Sequence, residues 1–316
     1  MRTVFLGTSE FAATVLERLA ASEHRPALVL SRPDRPRGRG RRVAAPPVVE
    51  RALALGLALV QPESVNEPLA RALIAEAQPQ VLVVCAFGAL IKEPLLSEHE
   101  LLNVHPSLLP RWRGAAPIER AIIAGDERTG VSIMRLTAGL DSGPVCLTAA
   151  EPITLEDTYG SLATRLAKIG GELLVRVLDL TAAGASPAFA EQDEAGVTYA
   201  EKIAPEDRML DPIRPASELE RVVRALQPHI GARVALADGT LLGVRRARIV
   251  SPSDGDPVDG GTIDRNQPEV GVTAKSGRLL LGCRKGVLEL LEVQPPGGRA
   301  MDASAYLRGR GLPVRR

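Results

Sequence analysis

Leu102-Asn103-Val104-His105-Pro106-Ser107-Leu108-Leu109-Pro110-Arg111-Trp112-Arg113-Gly114 is the stretch on which the reading of the chain turns. It begins as an apolar strand and runs out into a loop punctuated by proline and glycine. Side chains two apart on a strand share a face, so Asn103 and His105 point the same way where the apolar run stops. That point is the carboxyl end of a strand, the edge at which open α/β sheets bind ligands.

Elements alternate on either side of it. Residues 3–6 read as a buried strand. Gly7-Thr8-Ser9 follows, then Phe11, Val15, Leu16 and Leu19 at helical spacing, with Thr8 or Ser9 as the cap. This unit lacks the second and third glycines of a dinucleotide fingerprint, which argues against a nicotinamide cofactor. Further strands are expected at 27–31, 57–60, 81–86, 131–135 and 145–148, and helices at 47–55, 68–77, 116–124 and 159–180. The alternation predicts an α/β catalytic domain over residues 1–185, built on a doubly wound, mostly parallel sheet. Thr181 to Asp207 is a Pro-, Gly- and Ala-rich connection, within which residues 186–206 are expected to be a linker. From 207 to 316, a helix at 216–226 precedes short strands, with turns at Asp238-Gly239, Gly260-Gly261, Ser276-Gly277 and Lys285-Gly286. That pattern predicts a smaller, OB-like β-barrel.

Bulk properties narrow the class. The chain has 316 residues, 45% of them apolar, and a net charge of +1, so it is no polycation. From position 207 onward, however, there are 18 basic residues against 13 acidic ones, which suggests a polyanionic partner for that half. Cys85, Cys146 and Cys283 are too scattered for a disulfide framework or a zinc site. Met1 leads directly into a strand with no signal-peptide plan, and no apolar run reaches membrane-spanning length. A soluble cytoplasmic protein without a metal is expected. The run from Arg32 to Arg42 mixes arginine, proline and glycine. It is expected to lack regular structure and to be either solvated or an arm that orders on phosphate. Trp112, between Arg111 and Arg113, is a second candidate RNA contact.

Asn103, His105 and Asp141, in the glycine-bounded loop Gly139-Leu140-Asp141-Ser142-Gly143, suggest the chemistry. An amide and an imidazole aimed at one carbonyl oxygen make an oxyanion hole, worth about 2.7–4 kcal/mol per donor. A carboxylate beside the imidazole orients it. No Ser or Cys stands in an activated setting, and there are only 4 His. The set suits direct attack by a substrate nucleophile on a carbonyl carbon, through a tetrahedral intermediate and with no covalent enzyme intermediate.

The segment from Asn103 to Pro117, together with the Asp141 loop downstream, resembles the folate-dependent formyltransferase superfamily. Pro33-Asp34-Arg35-Pro36-Arg37-Gly38-Arg39-Gly40, Arg111-Trp112-Arg113-Gly114-Ala115-Ala116-Pro117-Ile118 and the stretch from Val197 to Lys202 narrow the likeness. They are similar to the branch whose acceptor is the methionyl α-amine of a charged initiator tRNA. The resemblance covers essentially the whole chain. It implies a formyltransferase-type Rossmann-like domain, 10-formyltetrahydrofolate as formyl donor, and methionyl initiator tRNA as acceptor. It also implies a C-terminal domain that helps to hold the tRNA, and a monomer. By the same resemblance Asn103, His105 and Asp141 are catalytic, Ser107, Leu108, Leu109 and Pro110 line the folate site, and Phe87 through Ile91 wall the pterin. Arg39 would reach the acceptor end of the tRNA. Ser9 replaces a frequent Pro, Phe87 a frequent Tyr, and Arg41-Arg42 the usual lysines. Three alternatives stay open at this point: a formyltransferase acting on a purine precursor or an amino sugar, a formyl-folate hydrolase, and an RNA-binding module with a degenerate catalytic domain.

Overall fold

The computed structural model describes residues 1–37, 42–185, 187–250 and 271–312. In chain order the elements are β1 (Thr3–Gly7), α1 (Glu10–Ala20), β2 (Pro26–Leu30), β3 (Arg35–Arg37), β4 (Arg42–Ala44), α2 (Pro47–Ala54), β5 (Leu59–Val60), α3 (Pro68–Glu76), β6 (Val81–Cys85), α4 (Leu95–Glu98), β7 (Leu101–His105), β8 (Arg113–Gly114), α5 (Pro117–Ala124), β9 (Arg128–Arg135), β10 (Val145–Pro152), α6 (Tyr159–Ala182) and β11 (Tyr199–Ala200). They continue with α7 (Ala216–Ala225), β12 (Ala232–Ala235), β13 (Leu241–Ile249), β14 (Gly271–Lys275), β15 (Arg278–Gly282), β16 (Val287–Gln294), β17 (Met301–Asp302) and α8 (Ala303–Arg310). Among the described residues no helix is long and apolar enough to cross a membrane.

The chain forms two compact units. The first is built on a seven-stranded sheet ordered β10-β9-β7-β6-β1-β2-β5. Pairs from β7 through β5 are parallel, whereas β9 runs antiparallel to β7 and β10 antiparallel to β9. The expected mostly parallel sheet is therefore present. The chain moves outward from β1 to β2 and β5, then returns to β6 on the other side of β1. Strand order reverses there, and β7, one strand further, ends close to that switch point. Alternation along the strands sorts the apolar residues. Val4, Leu6, Leu28, Leu30, Leu82, Val84 and Leu101 fill one core. Asn103 and His105 continue the Leu101 face to the end of β7. On the opposite face Gly170 lets α6 approach the sheet, since a Cβ there would lie 2.9 Å from Val104 Cγ1. Ser9 caps α1 by accepting from the Ala12 N–H at 3.3 Å. Thr8 instead donates its hydroxyl to the Phe87 carbonyl at 2.7 Å, tying the turn after β1 to the loop after β6.

Two expectations are corrected. The arginine- and proline-rich run is not wholly irregular: β3 and β4 pair antiparallel, Arg35 with Ala44 and Pro36 with Val43. A two-stranded ribbon leaves each strand a free edge, where a proline without an N–H is tolerated. The stretch expected as a linker belongs to the first unit as far as Glu201. There β11 pairs in parallel with β8, Tyr199 with Arg113 and Ala200 with Gly114, and Ala190 bridges Val145. Two-residue strands carry no periodicity from which to read them.

The second unit takes in Ile118–Glu127, Ile153–Ser161 and the chain from Lys202. Its antiparallel strands, ordered β12-β13-β16-β15-β14 with β17 beside β16, form a half-barrel. Leu219, Val222 and Val223 of α7 and Tyr306 of α8 pack on Val234, Leu242, Val244, Leu281 and Leu290 of this sheet. Glu289 is buried on β16. It accepts from Arg278 on β15 at 2.9 and 2.8 Å and from Arg248 on β13 at 2.8 Å.

Glu289→Ala is expected to destabilise the protein by about 1–3 kcal/mol, because two charged donors lose a shared acceptor. Chiefly the Arg278 hydrogen bonds hold the Glu289 carboxyl below its ordinary range. A carboxylate with a lowered folded-state pKa contributes stability above its unfolded value, near 4.3, and loses it as pH falls through the folded value. The difference in urea midpoint between wild type and variant should therefore be full at pH 7 and shrink below about pH 4. A gap that stays constant down to pH 3 contradicts this account.

Candidate active site

β7 delivers Asn103 and His105 buried at its carboxyl end. The loop ending β9 brings Asp141 to them, with His105 Nδ1 3.6 Å from Asp141 Oδ2. The other ring nitrogen, Nε2, lies 2.9 Å from the Trp112 carbonyl oxygen. A carbonyl only accepts, so Nε2 carries a hydrogen and donates it. Nδ1 is therefore the nitrogen left to face the carboxylate and any reacting group. Among the described residues the Asn103 carboxamide has no hydrogen-bond partner, so its NH2 is open to a ligand oxygen. The structure brings together the three residues that the sequence singled out.

Asp141 is fixed from two sides. Its φ is +45°, a left-handed conformation that Asp adopts more readily than most residues. The Gly114 N–H donates to Asp141 Oδ2 at 2.9 Å. Gly114 itself has φ +124°, and a Cβ there would lie 2.8 Å from the Ala200 carbonyl oxygen, so only glycine lets β8 and β11 approach this closely. From the other side, Gln192 Nε2 donates to the Asp141 carbonyl at 2.8 Å and to the Gly143 carbonyl at 2.7 Å. Gln192 Oε1 accepts from Arg113 Nε at 2.9 Å, and Arg113 Nη2 reaches Glu194 at 2.9 Å. Arg113 is buried. It is a strut of the site. Arg111 lies over the Trp112 ring, 4.3 Å from its centroid.

The sequence reading missed Gln192, Glu194 and the Trp112 carbonyl. Gln192 and Glu194 lie in a stretch read as a linker, and a main-chain oxygen leaves no mark on sequence. The sequence signal available was Gly114, a glycine directly after the buried arginine.

The Ser107–Pro110 stretch is sewn down by its own polar groups. The Ser107 hydroxyl donates to the Arg111 carbonyl at 2.6 Å. The Ser132 hydroxyl donates to the Ser107 carbonyl at 2.7 Å and accepts from the Leu109 N–H at 3.2 Å. Ser107 is fully buried, and its hydroxyl is committed to the loop. Leu108, Leu109 and Pro110 are half-buried and offer an apolar wall. Of the stretch from Phe87 to Ile91, Phe87 and Ile91 are core residues, whereas Gly88 and Leu90 are exposed. Arg39 lies outside the described residues. Among the described residues no group of three or more His, Cys, Asp or Glu side chains is placed to hold a metal ion. An open amide donor beside a partly exposed apolar loop fits a flat heteroaromatic ligand that carries a carbonyl group.

A formyl transferase family model matches residues 1–178, and a formyl transferase C-terminal domain model matches residues 202–311. The class is thus a two-domain formyl transferase. Methionyl-tRNA formyltransferase of Halorhodospira halophila is 43% identical over 314 residues, covering 98% of this chain and 97% of that protein. The enzyme of the same name from Methylococcus capsulatus is 41% identical, covering 100% and 99%. The chain belongs to the methionyl-tRNA formyltransferase family. Solved structures share the fold. HypX from Aquifex aeolicus in complex with tetrahydrofolic acid superimposes with a TM-score of 0.65 at 17% identity, covering 97% of this chain and 47% of that one. This chain thus spans about half of HypX. Methionyl-tRNA formyltransferase from Clostridium thermocellum gives a TM-score of 0.58 at 14% identity, covering 79% of this chain and 94% of that one.

Gln192→Ala releases the main chain on both sides of Ser142 and lets Asp141 drift. A displacement of about 1 Å at a catalytic group is enough to cost roughly 100-fold in rate. The variant is expected to lose about 10–100-fold in kcat for formyl transfer, with the KM for the formyl donor changed by less than about threefold. Steady-state kinetics check this, and an equal loss in both parameters counts against a positioning role.

Proposed function

We propose that this chain transfers the formyl group of 10-formyltetrahydrofolate to the α-amine of methionyl initiator tRNA, giving N-formylmethionyl-tRNA for translation initiation. The observation that carries the reading is the convergence of Asn103, His105 and Asp141 at the carboxyl end of β7, with His105 Nδ1 3.6 Å from Asp141. Support for the acceptor comes from the full-length likeness to methionyl-tRNA formyltransferases. The tetrahydrofolate named in the HypX structure supports the donor.

The donor, when bound, supplies a one-carbon electrophile. Leu108, Leu109 and Pro110 wall its heteroaromatic part, with Gly88 and Leu90 at the same sheet edge. Asn103 donates to the formyl oxygen, and His105, in its imidazolium form, donates through Nδ1, since its Nε2–H is held by the Trp112 carbonyl. His105 is held on the Trp112 carbonyl before reaction and Asn103 is buried on the same strand face, so little reorganisation is needed as charge develops. A free α-amine has a pKa of about 7.7–8.0, so part of it is neutral near pH 7 and no strong base is required. Asp141 orients His105, takes the proton released by the attacking amine and returns it to the leaving nitrogen. Arg39 reaches the acceptor end of the tRNA, and residues 207–316 hold its body. The enzyme acts in the cytoplasm as a monomer.

Folate consumption measured with charged initiator tRNA, with free methionine and with no acceptor tests the assignment. Rapid consumption only with the charged tRNA is expected. Turnover without acceptor identifies a hydrolase instead, and turnover with amino sugars or purine precursors identifies another formyltransferase. His105→Ala should lower kcat by about 100-fold or more, with tRNA affinity within about twofold of wild type. Arg39→Ala should weaken transfer to tRNA more than transfer to small amines, and the reverse order contradicts its role.

A further inference from the structure

Three guanidinium groups, those of Arg208, Arg233 and Arg245, gather at the outer face of the half-barrel. Ala232 and Val234 of β12 and Val293 of β16 point into the core, so Arg233 and Gln294 lie on the opposite face. Arg233 pairs with Gly243 of β13, and Gly243 pairs with Gln294, so the three form one row across the sheet. Gly243 adds no side chain to that row. Arg245 Nε and Nη2 both donate to the Gln294 side-chain oxygen. The Gln294 amide nitrogen is itself fixed on the Gly298 carbonyl at 3.0 Å. Arg208 comes to the same place from the turn at Glu206–Arg208. Its Nε and Nη2 donate to the Gly231 and Ile230 carbonyls, each at 3.1 Å. Gly231 also lies against Arg245, for a Cβ there would be 2.5 Å from Arg245 Nη1.

These bonds hold the inner edges of two guanidinium planes and leave their Nη1 groups and the whole Arg233 fork unused. Among the described residues none of the three makes an ion pair. Burial first, then the fields of Arg233 and Arg245, hold Arg208 below the usual guanidinium range. Mutual repulsion of this kind is unfavourable unless an anion relieves it. Planar forks with paired donors match the oxygens of a phosphate group.

We propose that Arg208, Arg233 and Arg245 form a phosphate-binding site, filled by a backbone phosphodiester of the RNA substrate. The proposal rests on the reading that the acceptor is a charged RNA. Arg208 and Arg245 are preset by main-chain and amide acceptors. Arg233, the exposed member, closes on the ligand.

Wild type, Arg233→Gln and Arg233→Lys are titrated with tRNA by fluorescence anisotropy between 50 and 200 mM salt. Arg233→Gln should bind about 5–10-fold more weakly at the lowest salt, and its log–log salt slope should be shallower by about one. Arg233→Lys keeps the charge and should keep the slope. An Arg233→Gln protein with wild-type affinity and slope overturns the proposal. A second arm titrates wild type with inorganic phosphate and with tRNA and follows the arginine Nε–H NMR signals. Shifts of Arg208 and Arg245 with tRNA support the site. Shifts with inorganic phosphate alone assign it to a free anion and overturn the RNA assignment. Formylation by the wild type is scored separately: a protein that binds tRNA through these arginines but formylates nothing sinks the activity and leaves the site standing.

Discussion

One hydrogen bond sets the terms for the site: His105 Nε2 to the Trp112 carbonyl. It fixes which nitrogen of a buried imidazole is spent on structure and which is left for chemistry. The bond exists only because the loop after β7 turns back over its own strand. That turn requires Trp112 at φ +66° and a glycine two residues later at φ +124°. Ser107 and Ser132 then consume the polar groups that such a path would otherwise bury unpaired. Placement of the acid, the amide and the apolar wall all depends on this loop holding its course.

The seven-stranded sheet presents that loop at a strand end near the point where strand order reverses. The antiparallel pairing of β9 with β7 places Ser132 directly opposite His105. The same strand that extends the sheet thus supplies the hydroxyl that bridges Ser107 and Leu109. Asp141 follows β9 within a few residues. Sheet topology and local hydrogen bonding are in this way two descriptions of one short stretch of chain.

Much of this was legible in the sequence, for physical reasons. Alternation from Leu101 to His105 put Asn103 and His105 on one face, and helical spacing from Phe11 to Leu19 marked α1. The Asp-Ser-Gly turn marked a loop able to carry a carboxylate. What escaped was made of contacts without a repeat. The pairing of β11 with β8 is two residues long, and the bonds of Gln192 run to main-chain oxygens 49 and 51 residues away. The partners of the buried Arg113 escaped as well, because nothing in the sequence shows that the half-buried Gln192 and the exposed Glu194 reach it. Pro36 read as a breaker because nothing in a string of letters distinguishes a free ribbon edge from a central strand.

The parallel pairing of β11 with β8 bears on how such a catalytic module can be cut and recombined. The family model for the first domain ends at residue 178, yet the strand that steadies the acid-bearing loop closes only at Ala200. A fragment severed at the sheet's last long helix keeps all three reactive side chains and forfeits the strap that aligns them. Any fusion or gene rearrangement that grafts this module onto a different tail must therefore splice beyond Glu201. The tether between domains is, chemically, the last piece of the first.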